Sequence, residues 1–175
     1  RIYKPVEAIK SRHWWQTWLK PFYIYDAPFE RVLWLDADCV IVGDLGEAFA
    51  LIEQQPLLVR DGTDAITENN AHLYEHLTLP QGIDTRGINL NAGVVGLCKV
   101  RDRALLHAWC FGVAWSAMNP DKQSLAAWAD QGLLLWAAHS TSTTSAIQQD
   151  LRWNFPSRRN TDLISRAVNN GRSIL

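Results

Sequence analysis

From Pro5 to Leu19 the apolar residues Val6, Ile9, Trp14, Trp15, Trp18 and Leu19 return at helical intervals, with Lys10, Arg12 and Gln16 between them, which predicts an amphipathic helix. Lys20-Pro21 reads as its end, and Phe22, Tyr23 and Tyr25 as a loop leading through Pro28. Arg31 to Leu35 is the most strand-like run in the chain, apolar enough to be buried on both faces. Asp36-Ala37-Asp38 interrupts it, and Cys39 to Val42 resumes strand character. Asp44 with Glu47 then forms a capping-box pattern before a helix over Leu45 to Glu53.

A second apolar run, Pro56 to Arg60, ends on Asp61-Gly62, and Glu68 to Leu77 reads as a short helix. After a loop-rich stretch to Ile88, Leu90 to Leu97 combines small residues with a β-branched run, and Val100 to Met118 reads helical. Asn119-Pro120 starts a further helix toward Trp136, with Asp130-Gln131 inside it or at a break. Trp153 to Asn170 reads as polar loop and then helix. Strands alternating with helices predict an α/β domain with a mostly parallel central sheet, whose ligands lie at the carboxyl ends of its strands.

Composition narrows the possible functions. The 175 residues make one domain or most of one, and 47% hydrophobic with 20% charged residues is the balance of a chain that buries a core. A net charge of −1 leaves no basic field for a polyanion, so no nucleic-acid partner is expected. No apolar stretch approaches the roughly 18 residues of a transmembrane segment. Cys39, Cys98 and Cys110 are odd in number and sit in apolar surroundings, so they read as buried small hydrophobes. The expected setting is reducing and cytoplasmic, with peripheral association with a membrane left open. The chain opens at Arg1 and stops at an apolar Ile174-Leu175, which reads as a domain cut at both ends.

The sharpest chemical feature is Asp36-Ala37-Asp38 after a strand. In an extended chain residues two apart face the same side at roughly 7 Å, so two carboxylates can grip one divalent cation. Oxygen ligands favour Mg²⁺ or Mn²⁺. The tripeptide alone equally fits carboxylates satisfied by backbone amides or water.

The wider context resembles the nucleotide-sugar glycosyltransferases of the GT-A fold, in particular the family 8-like, glycogenin- or galactosyltransferase-like enzymes. Arg31 to Leu45 is similar to their DxD segment, Asn91-Ala-Gly-Val-Val-Gly96 to their Asn-Ala-Gly-Val motif, and Asp130-Gln131 to their Asp-Gln pair, in that order. The resemblance implies a single GT-A-like domain with a mostly parallel central sheet. Its implied activity is transfer of a sugar, with retention, from a nucleoside diphosphate donor, UDP-sugar foremost, to a glycan, lipid or protein acceptor. Asp36 and Asp38 would hold Mn²⁺ or Mg²⁺, Asn91 would sit beside the sugar, and Asp130 and Gln131 near the anomeric centre. Asp61 would contact donor or acceptor, and Lys10 or Arg12 the diphosphate. Each has a plainer alternative: an exposed helix carboxylate for Asp130, sheet packing for Gly93 and Gly96, and a solvated helix face for Lys10 and Arg12.

Departures from the family are as informative. No strand precedes the DxD strand, and no His-x-x-Gly-x-x-Lys-Pro-Trp-like segment follows Asn154 to complete a metal site; His139 is not in that context. A catalytically inactive sugar- or nucleotide-binding module of the same fold is therefore the alternative reading. His72-Leu-Tyr-Glu75-His76 matches the inverzincin zinc pattern but lacks a third ligand. Nine Trp suit sugar stacking, although Trp14, Trp15, Trp18 and Trp34 read as core.

Overall fold

The computed structural model describes residues 18–41, 43–60, 90–119, 130–148 and 153. In chain order these form α1 (Lys20–Asp26), β1 (Arg31–Leu35), α2 (Gly46–Gln54), β2 (Leu57–Arg60), β3 (Leu90–Cys98), α3 (Arg103–Met118), α4 (Asp130–Ser140) and, after a short 3₁₀ turn, β4 (Ile147–Gln148). The helix expected over Pro5 to Leu19 falls outside the described residues except for Trp18 and Leu19, as do the elements expected over Glu68 to Leu77 and after Trp153.

Pro21 begins a helix where a helix end was expected. A proline in the first turn loses nothing, because its missing N–H would have no intrahelical acceptor and its fixed φ already suits the helix. The aromatic residues beyond it therefore lie on α1, with Phe22 and Ile24 buried and Tyr23 and Tyr25 exposed. Lys99 staples the other end of α1: its ammonium donates to the carbonyl oxygens of Tyr25, at 3.0 Å, and Ala27.

The architecture is α/β, but the sheet is mostly antiparallel. Its strand order is β1-β3-β2-β4, with β3 antiparallel to both β1 and β2, and β2 parallel to β4. This corrects the mostly parallel expectation, for a physical reason. Alternation of strand and helix does not by itself fix direction: β1, β2 and β4 share one direction, and β3 runs the other way. Nor does alternation fix adjacency, and β3 inserts in reverse between β1 and β2.

Each face of the sheet carries its own core. Val32 and Trp34 of β1 face the larger cluster, with Phe22 and Ile24 of α1, Trp109 and Val113 of α3 and most of α4. Leu33 and Leu35 face the smaller cluster of Ala48, Ile52, Leu57, Val59, Val94 and Trp153. The strand is thus apolar on both faces as expected, yet half-buried, because it forms the edge of the described sheet. Helix α4 is buried from Gly132 to Ala138, consistent with its all-round apolar sequence.

Two local expectations change. Cys39 to Ile41 do not resume a strand, and Val40 and Ile41 are exposed. The N-cap of α2 is Leu45 and not Asp44, whose carboxylate accepts from the Gly46 N–H at 2.8 Å. The shared direction of β1 and β2 and the reversal of β3 bring the carboxyl end of β1 beside the amino end of β3, with Leu35 opposite Val94. The candidate chemistry collects at that end of the sheet.

Candidate functional site

The chain leaves β1 at Asp36 through a turn closed by the Cys39 N–H donating to the Asp36 carbonyl at 3.0 Å. The extended geometry expected for Asp36-Ala37-Asp38 is therefore replaced by a turn. Asp36 is half-buried and Asp38 exposed, so the two carboxylates differ in environment.

Opposite this turn, β3 leaves its ladder. Leu58 pairs with Val95 but Arg60 pairs with Leu90, so two steps on β2 are matched by five on β3, and Asn91, Ala92 and Gly93 lie within the irregularity. The Asn91 Oδ1 accepts from the Gly93 N–H at 2.7 Å, and the Gly93 carbonyl accepts from the Asp36 N–H at 2.8 Å. A Cβ on Gly93 would stand 2.8 Å from Asn91 Oδ1 and 3.1 Å from Asp36 Oδ2, so glycine is what allows β3 to approach the carboxylate. Gly96 is different: a Cβ there would meet Ile52 Cδ1 at 2.5 Å, which is sheet-to-helix packing alone.

Lys20, at the start of α1, joins these segments. Its Nζ lies 2.9 Å from Asp36 Oδ2, 3.3 Å from Asp130 Oδ2 and 3.4 Å from the Ala92 carbonyl oxygen. With a side chain 7% exposed it is a buried cation, and burial of that kind requires paired charge. The other oxygen of Asp36 accepts from the Trp34 indole Nε1 at 2.8 Å.

Asp130 opens α4, where the helix dipole favours negative charge, and its carbonyl accepts from the Trp109 indole at 3.2 Å. It is 3% exposed, so the exposed-carboxylate alternative does not hold. Burial pushes its carboxyl up to about 6, against the opposing pull of Lys20. Its Oδ2 lies within ion-pair range of Lys20 but has no aligned hydrogen bond among the described residues. Gln131 is half-buried beside it. His139 is at the far end of the same helix.

The structure thus gathers Asp36, Asp130 and the Ala92 carbonyl around one ammonium group, and joins Asn91 and Gly93 to Asp36 through the Gly93 backbone. Asp61, Lys10, Arg12 and the His72 to His76 motif lie outside the described residues. Lys20 was not singled out from sequence, because Lys20-Pro21 resembles a helix stop. The pattern that marks it is a Lys-Pro pair between buried aromatics, a helix start whose lysine has no solvated side. Trp34, taken as core, is half-buried with a polar task. Cys39 and Cys98 are half-buried and only Cys110 is buried, and all three are free.

For a divalent cation the donors fit in kind. A carboxylate offers about four lone-pair directions, and Asp36 spends one on Lys20 and one on Trp34, leaving acceptor capacity on each oxygen. Asp38, two residues on, adds an exposed carboxylate. Among the described residues no third His, Cys, Asp or Glu joins them. Compared with family models, characterised proteins and solved structures, the chain gives no match.

Proposed function

We propose that the chain carries the donor site of a metal-dependent, GT-A-like glycosyltransferase that moves a sugar from a nucleoside diphosphate, a UDP-sugar foremost, to an acceptor hydroxyl. The observation that supports this reading is that Lys20 joins Asp36 to Asp130, while Asn91 and Gly93 meet Asp36 from β3. Three segments far apart in the chain, each similar to a glycosyltransferase motif, converge at one end of one sheet.

The chemistry follows from the charges. Cleavage between the anomeric carbon and the phosphate leaves negative charge on a diphosphate, and catalysis consists of stabilising that charge where it develops. Asp36 and Asp38 are the residues that would hold Mn²⁺ or Mg²⁺, which when bound supplies Lewis-acid stabilisation of the leaving group. Lys20 supplies a fixed positive charge in the same place, at low solvent exposure where its field is little screened. It adds to the part expected of Lys10 or Arg12, which lie outside the described residues. Asn91, already oriented by its bond to Gly93, offers its amide to a sugar hydroxyl. Asp130 presents a buried carboxylate oxygen that has Lys20 at 3.3 Å and no aligned hydrogen bond among the described residues, suited to receive one from a sugar hydroxyl.

Calorimetric titration of UDP and of GDP, with and without Mn²⁺, tests the reading. The expected result is metal-dependent binding that disappears in the Asp36→Ala, Asp38→Ala double variant. Binding that ignores the double variant overturns it. Metal-dependent binding with no sugar transfer from any donor favours the inactive binding module instead.

A further inference from the structure

The Trp34 indole makes a bond that packing does not require. Trp34 lies half-buried on β1, at the edge of the described sheet. Its indole N–H donates to Asp36 Oδ1 at 2.8 Å, within the ordinary range of an N–H···O hydrogen bond. The indole nitrogen of Trp136, buried in the larger core, has no hydrogen bond among the described residues.

The Asp36 carboxylate sits at the end of a freely rotating bond, and one donor leaves it able to swing. Two donors on its two oxygens fix its plane. Lys20 holds Oδ2 and Trp34 holds Oδ1, and both donors belong to one assembly, because Tyr23 of α1 lies parallel to the Trp34 ring, at 5° and 6.2 Å between centroids. Helix α1 thus contributes the ammonium on one oxygen and backs the indole on the other. Gly93, with no side chain, keeps the remaining approach to the carboxylate open.

We propose that Trp34 is a positioning residue for Asp36, holding the carboxylate plane so that its remaining lone pairs meet a divalent cation and the donor diphosphate. This rests on the donor-site reading above. An outer partner of this kind acts on affinity without touching the ligand, and its loss typically weakens metal binding by about 10-fold or more.

The experiment uses the ¹H–¹⁵N signals of the indole groups in the whole chain, with Trp34→Phe identifying the Trp34 signal. Asp36→Ala is expected to move that signal upfield through loss of a charged acceptor, and Mg²⁺ with UDP to shift it in the unaltered protein. By calorimetry, Trp34→Phe is expected to weaken Mn²⁺-dependent UDP binding about 10-fold. If no indole signal moves in Asp36→Ala, the proposal is overturned, and that outcome is readable even where Trp34→Phe fails to fold. If the unaltered chain binds UDP with Mn²⁺, Asp36→Ala does not, and Trp34→Phe matches the unaltered chain, the donor site stands and the positioning role falls. If the unaltered chain binds no UDP with Mn²⁺, both fall.

Discussion

Burying Lys20 between Asp36 and Asp130 leaves two carboxylates to share one cation, and the deeper of the two bears the cost of desolvation. The Asp130 carboxyl titrates near 6, above its ordinary 3.8, so the folded chain keeps a proton that the unfolded chain releases between those values. A raised carboxyl pKa contributes stability below the unfolded value and loses it as pH rises through the folded one. The loss is complete above about pH 6 and amounts to at most about 3 kcal/mol. Asp130→Asn removes this dependence. Urea unfolding of both proteins at pH 4 and pH 7 should show the variant gaining on the parent by up to that amount; a stability difference that stays constant with pH contradicts the buried carboxyl. At this scale the sequence shows residue types but not their surroundings. Asp36, Asn91 and Asp130 were legible because motifs surround them. Lys20 and Trp34 were not, since their roles depend on an ammonium and an indole reaching a carboxylate from another segment.

At the scale of elements, the strands β1, β2 and β3 and the helices α2, α3 and α4 were legible from apolar runs and helical spacing. The order of the strands was not. Register and adjacency depend on pairing across the 29 residues between Arg60 and Leu90, and local spacing does not encode a pairing over that distance. The two glycines of β3 separate packing from chemistry. In Gly96→Ala the new methyl meets Ile52 Cδ1 at 2.5 Å and Leu57 Cβ at 2.9 Å, so it should cost about 1–3 kcal/mol by chemical denaturation. Adding Ile52→Val, which removes the nearer atom, should recover part of that loss. Gly93→Ala meets polar side-chain ends at the site, 2.8 Å from Asn91 Oδ1 and 3.1 Å from Asp36 Oδ2. It should reduce UDP binding more than it reduces stability, and equal effects on both would assign Gly93 to packing.

Across the whole molecule, the sheet separates two cores of unequal size. The larger joins α1, α3 and α4, whereas the smaller rests on α2, Trp153 and the facing residues of the sheet. Regions with fewer buried apolar contacts open first, so amide exchange should be faster in α2 than in α3 and α4, and faster still in Trp153→Ala. Equal protection of the three helices would mean that the two cores unfold as one. No helix among the described residues is long and apolar enough to cross a membrane. The lysine-centred cluster has a consequence for folding. Its parts come from positions 20, 36, 91 to 93 and 130, and α1, which carries the lysine, has only seven residues, too few to persist alone. Contacts so distant in the chain form late, since loop-closure entropy opposes them until the intervening structure exists. Recovery of nucleotide binding during refolding should therefore lag behind the return of helical signal, making the ligand a timer for the last step of assembly.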